Sequence, residues 1–382
     1  MPTIGLDYTS AIHQSAGIGR YTAELVKALA KLSQDGQSPA YRLFVAGAGR
    51  HFCQSLPGQN FSWRPTRLSE RWLARLWYRL RLPLGIELWT GRLDLFHGPD
   101  FFLPPVKAGT RTIVTIHDLS FERDPTMVMP GMLPHLTTWV PRSVERADHV
   151  IAVSAATRQD LLELYHTPPE KISVLYHGVG EAFKPVRETT RLQALRQKYG
   201  LGLAPFVLSL GTLQPRKNYQ RLIQAFAQVP PPYRLVIAGG KGWHYQAILA
   251  EVERQQLTER VRFLGFVAEA DLPALYSAAS LFVYPSLYEG FGLPLLEAMA
   301  CGTPVVASTQ SALPEVVGPA GLLVNPYQVE ALAQAMTGLL ADPARQDQLA
   351  AAGRDQAKKF SWAATARQLL ALYHTVLKQG QG

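Results

Sequence analysis

What constrains this chain most is a rhythm. Short apolar runs alternate with longer amphipathic segments almost from end to end. The early runs are TIGLD around Ile4, YRLFVAG around Phe44, LDLFHG around Phe96, RTIVTIHD around Val114, HVIAVS around Ile151 and then KISVLY. The later ones are FVLSLG around Leu208, YRLVIAGG around Val236, RVRFLGF around Phe263, SLFVYPS around Phe282 and TPVVAS around Val305. Strands that are apolar throughout, rather than at every second position, are covered on both faces, as parallel sheets require. The segments between them, such as 20–33, 218–228 and 268–278, read as the covering helices. The pattern therefore predicts an α/β fold. At 382 residues the chain exceeds what one core ordinarily organises, so two doubly wound, Rossmann-like parallel-sheet domains are expected.

The boundary is expected near 180–190, where HGVGEAFKPVRETT is rich in glycine, proline and charge. That gives a first domain over 1–180 and a second over 181–361. The final segment FSWAATARQLLALYHTVLKQ reads as a last helix, about 362–382, that packs back on the first domain. Ligands gather where the strands of such sheets open into loops. Three strand ends carry unusual loops here: IHDLS, LSLGTLQPRKN and YPSLYEGFG. Two domains facing a central cleft would set such loops across from each other.

Composition excludes several classes. Hydrophobic residues make up 47% of the chain, which describes a globular protein rather than a disordered one. Cys53 and Cys301 are the two cysteines, too few for a disulfide framework, and their scarcity fits a reducing compartment. Cys301, in AMACGTPVV, reads as a small buried apolar residue. The start, MPTIGLDYTS, lacks a basic region followed by an apolar stretch, and no run of 18 apolar residues occurs, so a cytoplasmic location is expected. The net charge of +9 accords with anionic partners. No Asp-x-Asp pair and no cluster with metal-ligand spacing occurs, so no metal is expected. Two glycine pairs fail as dinucleotide fingerprints: Thr22 follows Gly17 and Gly19 at the third position, and Phe52 follows Gly47 and Gly49. That disfavours a nicotinamide oxidoreductase.

Four segments carry candidate chemistry. In YPSLYEGFGLPLLEAMACGTPVV (284–306) a strand runs into a glycine-bearing loop and then a helix from about Leu293–Pro294. The amides of Phe291, Gly292 and Leu293 would form an anion site at that helix start, and Gly290 and Gly292 would let a phosphate approach the backbone. On spacing alone, Glu289 and Glu297 equally describe a cap and a solvated helix residue. In LSLGTLQPRKN (208–218) Gly211 ends a strand, and Arg216 and Lys217 precede a helix. A planar fork beside a point charge suits a diphosphate, although two solvated loop cations would look the same. Gly17 and Gly19 open a helix in AGIGRYTAELVKAL. His117 and Asp118 end the strand of TIVTIHDLSF, where Asp118 would either orient the histidine ring or cap a turn.

These segments together resemble the retaining GT-B glycosyltransferases of family 4. Glu289-Gly-Phe-Gly-Leu-Pro-Leu-Leu-Glu297 is similar to their Glu-x7-Glu signature, down to the Pro-Ser before it and Ala-x-Ala-x-Gly-x-Pro-Val-Val after it. The resemblance implies that Glu289 faces the donor sugar and Glu297 the ribose. It implies that Arg216 and Lys217 neutralise the leaving diphosphate and that His117 lies near the donor sugar. It further implies that Gly211, Val267, Phe291, Gly292 and Leu293 bind the donor, and that Gly17 and Gly19 face the transferred phosphate and the acceptor. The family's common Gly-Gly pair is Ala16-Gly17 here, and His177 stands where it usually has asparagine, so His177 receives no role. The implied activity is transfer of a hexose, of mannose or glucose type, from a nucleotide-diphosphate sugar to a saccharide or lipid-linked acceptor, in surface-polysaccharide synthesis. Neither a metal nor a cofactor takes part. A non-catalytic nucleotide-sugar-binding protein and a related epimerase are the alternatives.

One further segment, SWRPTRLSERWLARLWYRLRLPLG (62–85), holds six arginines, one glutamate and three tryptophans. Arg71, Arg75 and Arg79 recur every fourth residue, with Leu73, Leu76, Trp77 and Leu80 expected on the other side. Such a helix suits an anionic membrane surface, making the protein peripheral on the inner face; a packed domain helix with a solvated arginine face is the other reading. No nucleic-acid motif accompanies it, so nucleic acid is not an expected partner.

Overall fold

The structure is a computed structural model, and it describes residues 1–14, 17–33, 38–49, 52 and 55–379. Ala16 and Cys53 lie outside the described residues. Two compact units divide the chain: Met1–Arg123, Pro130–Gly178 and Ser361–Gly382 form the first, Asp124–Met129 and Val179–Phe360 the second.

The first unit is built on seven strands, β1 (Thr3–Asp7), β2 (Ala40–Val45), β3 (Phe61–Pro65), β4 (Leu95–Gly98), β5 (Arg111–Ile116), β6 (His149–Ala152) and β7 (Ile172–Val174). Their order is β3-β2-β1-β4-β5-β6-β7. Every neighbouring pair is parallel, with Ile4 of β1 lying between Tyr41 and Leu95. The central strands are buried because their side chains are apolar on both faces: Ile4, Leu6, Leu95, Phe96, Ile113 and Val114 have no exposed surface. The helix Ile18–Leu32 lays Tyr21, Thr22, Leu25, Val26 and Leu29 inward at the spacing a helix needs to bury one face. The last helix, Trp362–Lys378, starts on a Ser361 side-chain cap and buries Leu369, Tyr373 and Val376. The Tyr373 hydroxyl lies 2.8 Å from Nδ1 of the buried His97.

The second unit carries β8 (Phe206–Leu210), β9 (Arg234–Ala238), β10 (Val261–Gly265), β11 (Leu281–Tyr284), β12 (Val305–Ser308) and β13 (Leu322–Val324). The order is β10-β9-β8-β11-β12-β13, again parallel throughout. Val207, Leu235, Ile237, Leu281, Val283 and Val306 pack against Leu222, Ile223, Phe226 and Met336 of the covering helices. Cys301 is buried there, and burial pushes its thiol up to about 12, as an inert packed cysteine should behave. The expected fold class is thus present in both units.

The arginine-rich segment differs from its expected form. Residues 61–65 are strand β3; Glu70–Ala74 are α-helical and Arg75–Arg79 form a π-helical turn. Leu73 and Trp77 are buried, whereas Leu80 is 60% exposed and Trp72 55%. The wider turn, closed by Leu80 N–H donating to Arg75 O, shifts the angular position of every later side chain, so Leu80 rotates out among the arginines.

Candidate active site

In the second sheet the strand order reverses between β8 and β11, and a doubly wound sheet takes its ligands at such a switch point. After β8 comes Gly211, then a short 3-10 turn, Pro215–Lys217, then Asn218 in the left-handed region at φ 60°. Asparagine tolerates that conformation, and its buried Nδ2 donates to Pro285 O (3.0 Å) and Pro326 O (2.7 Å). Leu287 N–H donates to Arg216 O (2.8 Å), so the loop after β11 is joined to the turn after β8. This joint aims the two basic side chains.

Lys217, only 8% exposed, donates from Nζ to Glu289 Oε1 (2.5 Å) and to the Tyr284 hydroxyl (2.7 Å). Arg216 donates to Glu289 Oε2 (3.1 Å) and to Tyr288 O (2.8 Å), and Glu289 N–H donates to Ser311 Oγ (2.8 Å). Burial alone would raise the Glu289 carboxyl; the Arg216 and Lys217 charges outweigh it and hold the group at about 2. Glu289 is therefore an anion shared by two cations. An incoming diphosphate and a sugar hydroxyl together satisfy the same set: the anion takes over the cations and the hydroxyl donates to the carboxylate.

The other expected donor residues occupy distinct positions. Gly292 caps the helix Leu293–Ala300 at φ 109°, with no side-chain cap, and a Cβ there would stand 2.7 Å from Leu313 Cδ2. At Gly211, φ 152°, a Cβ would stand 3.0 Å from Lys217 Cε, so glycine there leaves the lysine stem its path. Phe291 and Val267 are buried. Glu297 is not part of the Glu289 cluster: 1% exposed, its Oε2 accepts from the Tyr276 hydroxyl at 2.9 Å.

In the first unit the order reverses between β1 and β4. His117 sits just past β5, 7% exposed, with Nε2 2.7 Å from Pro99 O. A carbonyl only accepts, so Nε2 carries the proton and Nδ1 keeps its lone pair. Burial lowers the ring to about 4, so it is neutral at pH 7. Its edge meets Tyr21 (centroids 4.9 Å, 85°), and Phe101 lies 5.6 Å away. Asp118 caps a turn: its Oδ1 accepts from Ser120 N–H (3.0 Å) and Oγ (2.7 Å). His177 is packed against Trp362 (5.7 Å, 21°) and Tyr21 (4.7 Å). The two glycines differ in kind. Gly17 has φ 58° and open space around it, whereas a Cβ on Gly19 would fall 2.0 Å from Gln14 O and 2.7 Å from Ser10 O, so Gly19 lets its helix pack closely on the short helix Thr9–His13 that precedes it.

Two residues that sequence reasoning missed lie at this switch point. Asp7 ends β1, and Asp100 follows β4 by two residues; both are half-buried. Burial raises Asp100 to about 7, with the charge of Asp7 adding to it, and burial raises Asp7 to about 6. Gln14 Nε2 donates to Asp100 Oδ2 at 3.3 Å. The available signal was an aspartate at the tip of two apolar runs, TIGLD and HGPD. Among the described residues no group of three or more His, Cys, Asp or Glu is arranged to hold a metal ion, and no helix is long and apolar enough to cross a membrane.

Two parallel-sheet Rossmann-like units make up the chain, and the second carries paired cations on a buried glutamate at its switch point. Residues 193–356 match the family model of glycosyl transferases group 1, and residues 15–182 that of Glycosyltransferase Family 4. The O-antigen chain mannosyltransferase B of Escherichia coli is 35% identical over 375 residues, covering 94% of this chain and 95% of that one. The alpha-maltose-1-phosphate synthase of Mycolicibacterium smegmatis is 35% identical over 288 residues, 70% of this chain and 74% of its own. Among solved structures, the sucrose-phosphate synthase from Thermosynechococcus elongatus has a TM-score of 0.77 at 24% identity, covering 99% of this chain and 100% of that one. HepE from Anabaena in complex with UDP-glucose has a TM-score of 0.74 at 20% identity, covering 98% and 100%. The chain belongs to glycosyltransferase family 4.

Proposed function

We propose that this chain is a retaining, metal-independent mannosyltransferase that extends a surface polysaccharide, using a nucleotide-diphosphate mannose as donor and a saccharide or lipid-linked acceptor. The observation that carries the reading is the Arg216–Lys217–Glu289 cluster at the β8/β11 switch point. The identity of mannose is supported by the likeness to the Escherichia coli O-antigen enzyme.

In this reading the second unit binds donor and the first binds acceptor. The bond between the anomeric carbon and the β-phosphate oxygen breaks, and its electron pair leaves with the diphosphate. Arg216, Lys217 and the amides opening the helix Leu293–Ala300 stabilise that charge without a metal. The acceptor oxygen bonds to the anomeric carbon on the face the leaving group vacates, and its proton passes to the departing phosphate oxygen. Glu289 accepts from donor-sugar hydroxyls, Glu297 from the ribose once it turns from Tyr276, and Val267, Phe291 and Gly211 shape the donor pocket. His117 offers Nδ1 to a sugar hydroxyl, Gly17 supplies the open loop, and Asp7 and Asp100 orient acceptor hydroxyls. The protein works in the cytoplasm, on the inner face of a membrane that its arginine-rich segment touches.

A thermal-shift panel of GDP-mannose, UDP-glucose and ADP-glucose tests the donor, because a ligand bound only by the native state raises its melting temperature. GDP-mannose is expected to stand out, and NMR of the product is expected to show the donor's anomeric configuration retained. An inverted product would sink the mechanism. A donor that binds yet is neither transferred nor hydrolysed would identify a nucleotide-sugar-binding protein instead.

A further inference from the structure

The loop that begins at Glu289 is held by a short turn to which the proposed chemistry gives no part. Strand β12 ends at Ser308, and residues 309–312 lead into the helix Leu313–Val317. Thr309 N–H donates to Val324 O of β13 (2.9 Å) and Gln310 N–H to Ser308 Oγ (3.0 Å), so the turn is itself fixed to the sheet. From there it holds both backbone groups of Glu289. Ser311 Oγ accepts from Glu289 N–H at 2.8 Å, and Ala312 N–H donates to Glu289 O at 3.4 Å. Leu313 meets the other end of the loop, where its Cδ2 fills the space that a Cβ on Gly292 would need.

Ser311 occupies this place against its own backbone preference. Its φ is 50°, in the left-handed region, where a Cβ crowds the neighbouring carbonyl and glycine sits without strain. A turn that needed only this conformation would be better served by glycine. Strain of this kind persists where the surroundings require the side chain. Among the described residues that side chain makes one hydrogen bond, and its partner is the peptide of Glu289. The backbone hold has a purpose that the ion pairs cannot serve. Arg216 and Lys217 fix the carboxylate in the empty site, but an arriving diphosphate takes both cations over. From then on the direction of the carboxylate rests on how its own peptide is held.

We propose that Ser311 is a positioning residue for transfer: its hydroxyl oxygen pins the Glu289 peptide, so that the carboxylate stays aimed at the donor sugar after the cations have turned to the diphosphate. This rests on the reading of the chain as a glycosyltransferase, and it adds to that reading a residue that acts on the sugar only through Glu289.

The test compares Ser311→Gly with Ser311→Ala in the full chain. Both lose the accepting oxygen, and only alanine keeps a Cβ in the left-handed region, so it should melt about 2–4 °C below the glycine variant. In both, the Glu289 amide is expected to exchange about tenfold faster than in wild type, while the slowest amides of β8 stay within about threefold. With GDP-mannose, kcat should fall about tenfold in both variants and KM should change less than about threefold, because orientation at the reacting centre is lost rather than hold on the nucleotide. Calorimetry should likewise find GDP affinity unchanged. A serine with a merely structural role would rank the two variants in activity as they rank in stability, with glycine well ahead. That ranking, wild-type turnover in Ser311→Gly, a Glu289 amide no faster in either variant, or a loss confined to KM would each overturn the proposal. Failure of the transferase reading shows instead in the wild type, as no turnover of GDP-mannose, UDP-glucose or ADP-glucose.

Discussion

Glu289→Gln isolates the electrostatic core of the donor half. Glutamine keeps the shape and an accepting oxygen for Lys217 but removes the negative charge between two cations. The Glu289 carboxyl sits at about 2, against an ordinary 4.5, a difference of about 2.5 units. At about 1.36 kcal/mol per unit, the ionised group stabilises the folded second unit by about 3 kcal/mol at pH 7. The sign follows from the depressed value: the contribution is fully present above pH 4.5 and is lost as pH falls toward 2, shrinking to about 1 kcal/mol at pH 3. Lys217 and Arg216, both largely buried, would also be left facing each other without a counter-charge. Hydrogen exchange of the slowest amides of β8 and β11 reads this unit without assuming that the whole chain unfolds in one step. Those amides are expected to exchange about a hundredfold faster in Glu289→Gln than in wild type at pH 7, and only a few-fold faster at pH 3. Transfer should fall by about a hundredfold or more, since the sugar hydroxyls lose a charged acceptor with two oxygens and the cations lose their counter-charge. An exchange difference below about fivefold at pH 7, or the same difference at both pH values, would refute the claim that ionised Glu289 organises the cluster.

Three other outcomes are expected. Lys217→Met, which keeps the buried stem, should weaken binding of UDP or GDP, read by calorimetry, about tenfold or more; unchanged affinity would remove Lys217 from the diphosphate site. Asp100 is raised to about 7, so its carboxylate opposes folding above pH 3.8, with the full cost reached above pH 7. Asp100→Asn should then stabilise β1 and β4 at pH 8 by about 1–2 kcal/mol, after discounting for solvent access, and leave them unchanged at pH 4, whereas destabilisation at pH 8 would contradict the assigned burial. Transfer should survive chelator; complete loss that Mg²⁺ restores would defeat the metal-free mechanism.

Much of the fold was legible because a parallel sheet writes itself as continuous apolar runs, and eleven of these runs became strands. The two strands not read in advance, β3 and β13, leave Trp63, Arg64 and Leu323 partly exposed, which dilutes the apolar signal. The π-helical turn was invisible to a reading that assumes a constant 3.6-residue period. In the donor half, Arg216, Lys217 and Glu289 each lie in a contiguous segment whose loop and helix signals are local. Their mutual pairing, across 72 positions, is created by β8 and β11 being neighbours. Asp7 and Asp100 escaped notice for the same reason: no spacing along the chain encodes that β1 pairs with β4.

The last helix has a consequence for how the protein is made. Synthesis delivers β1 to β7 early, yet Tyr373, whose hydroxyl meets the buried His97, is made only after the whole of the second unit. Until this helix emerges, the first unit exposes the apolar face that Leu369, Tyr373 and Val376 later cover. The second unit, continuous from Val179 to Phe360 apart from one short turn, is complete sooner. The half begun first is therefore completed only after the second, and a chain cut short before Trp362 would carry one mature lobe and one sticky one.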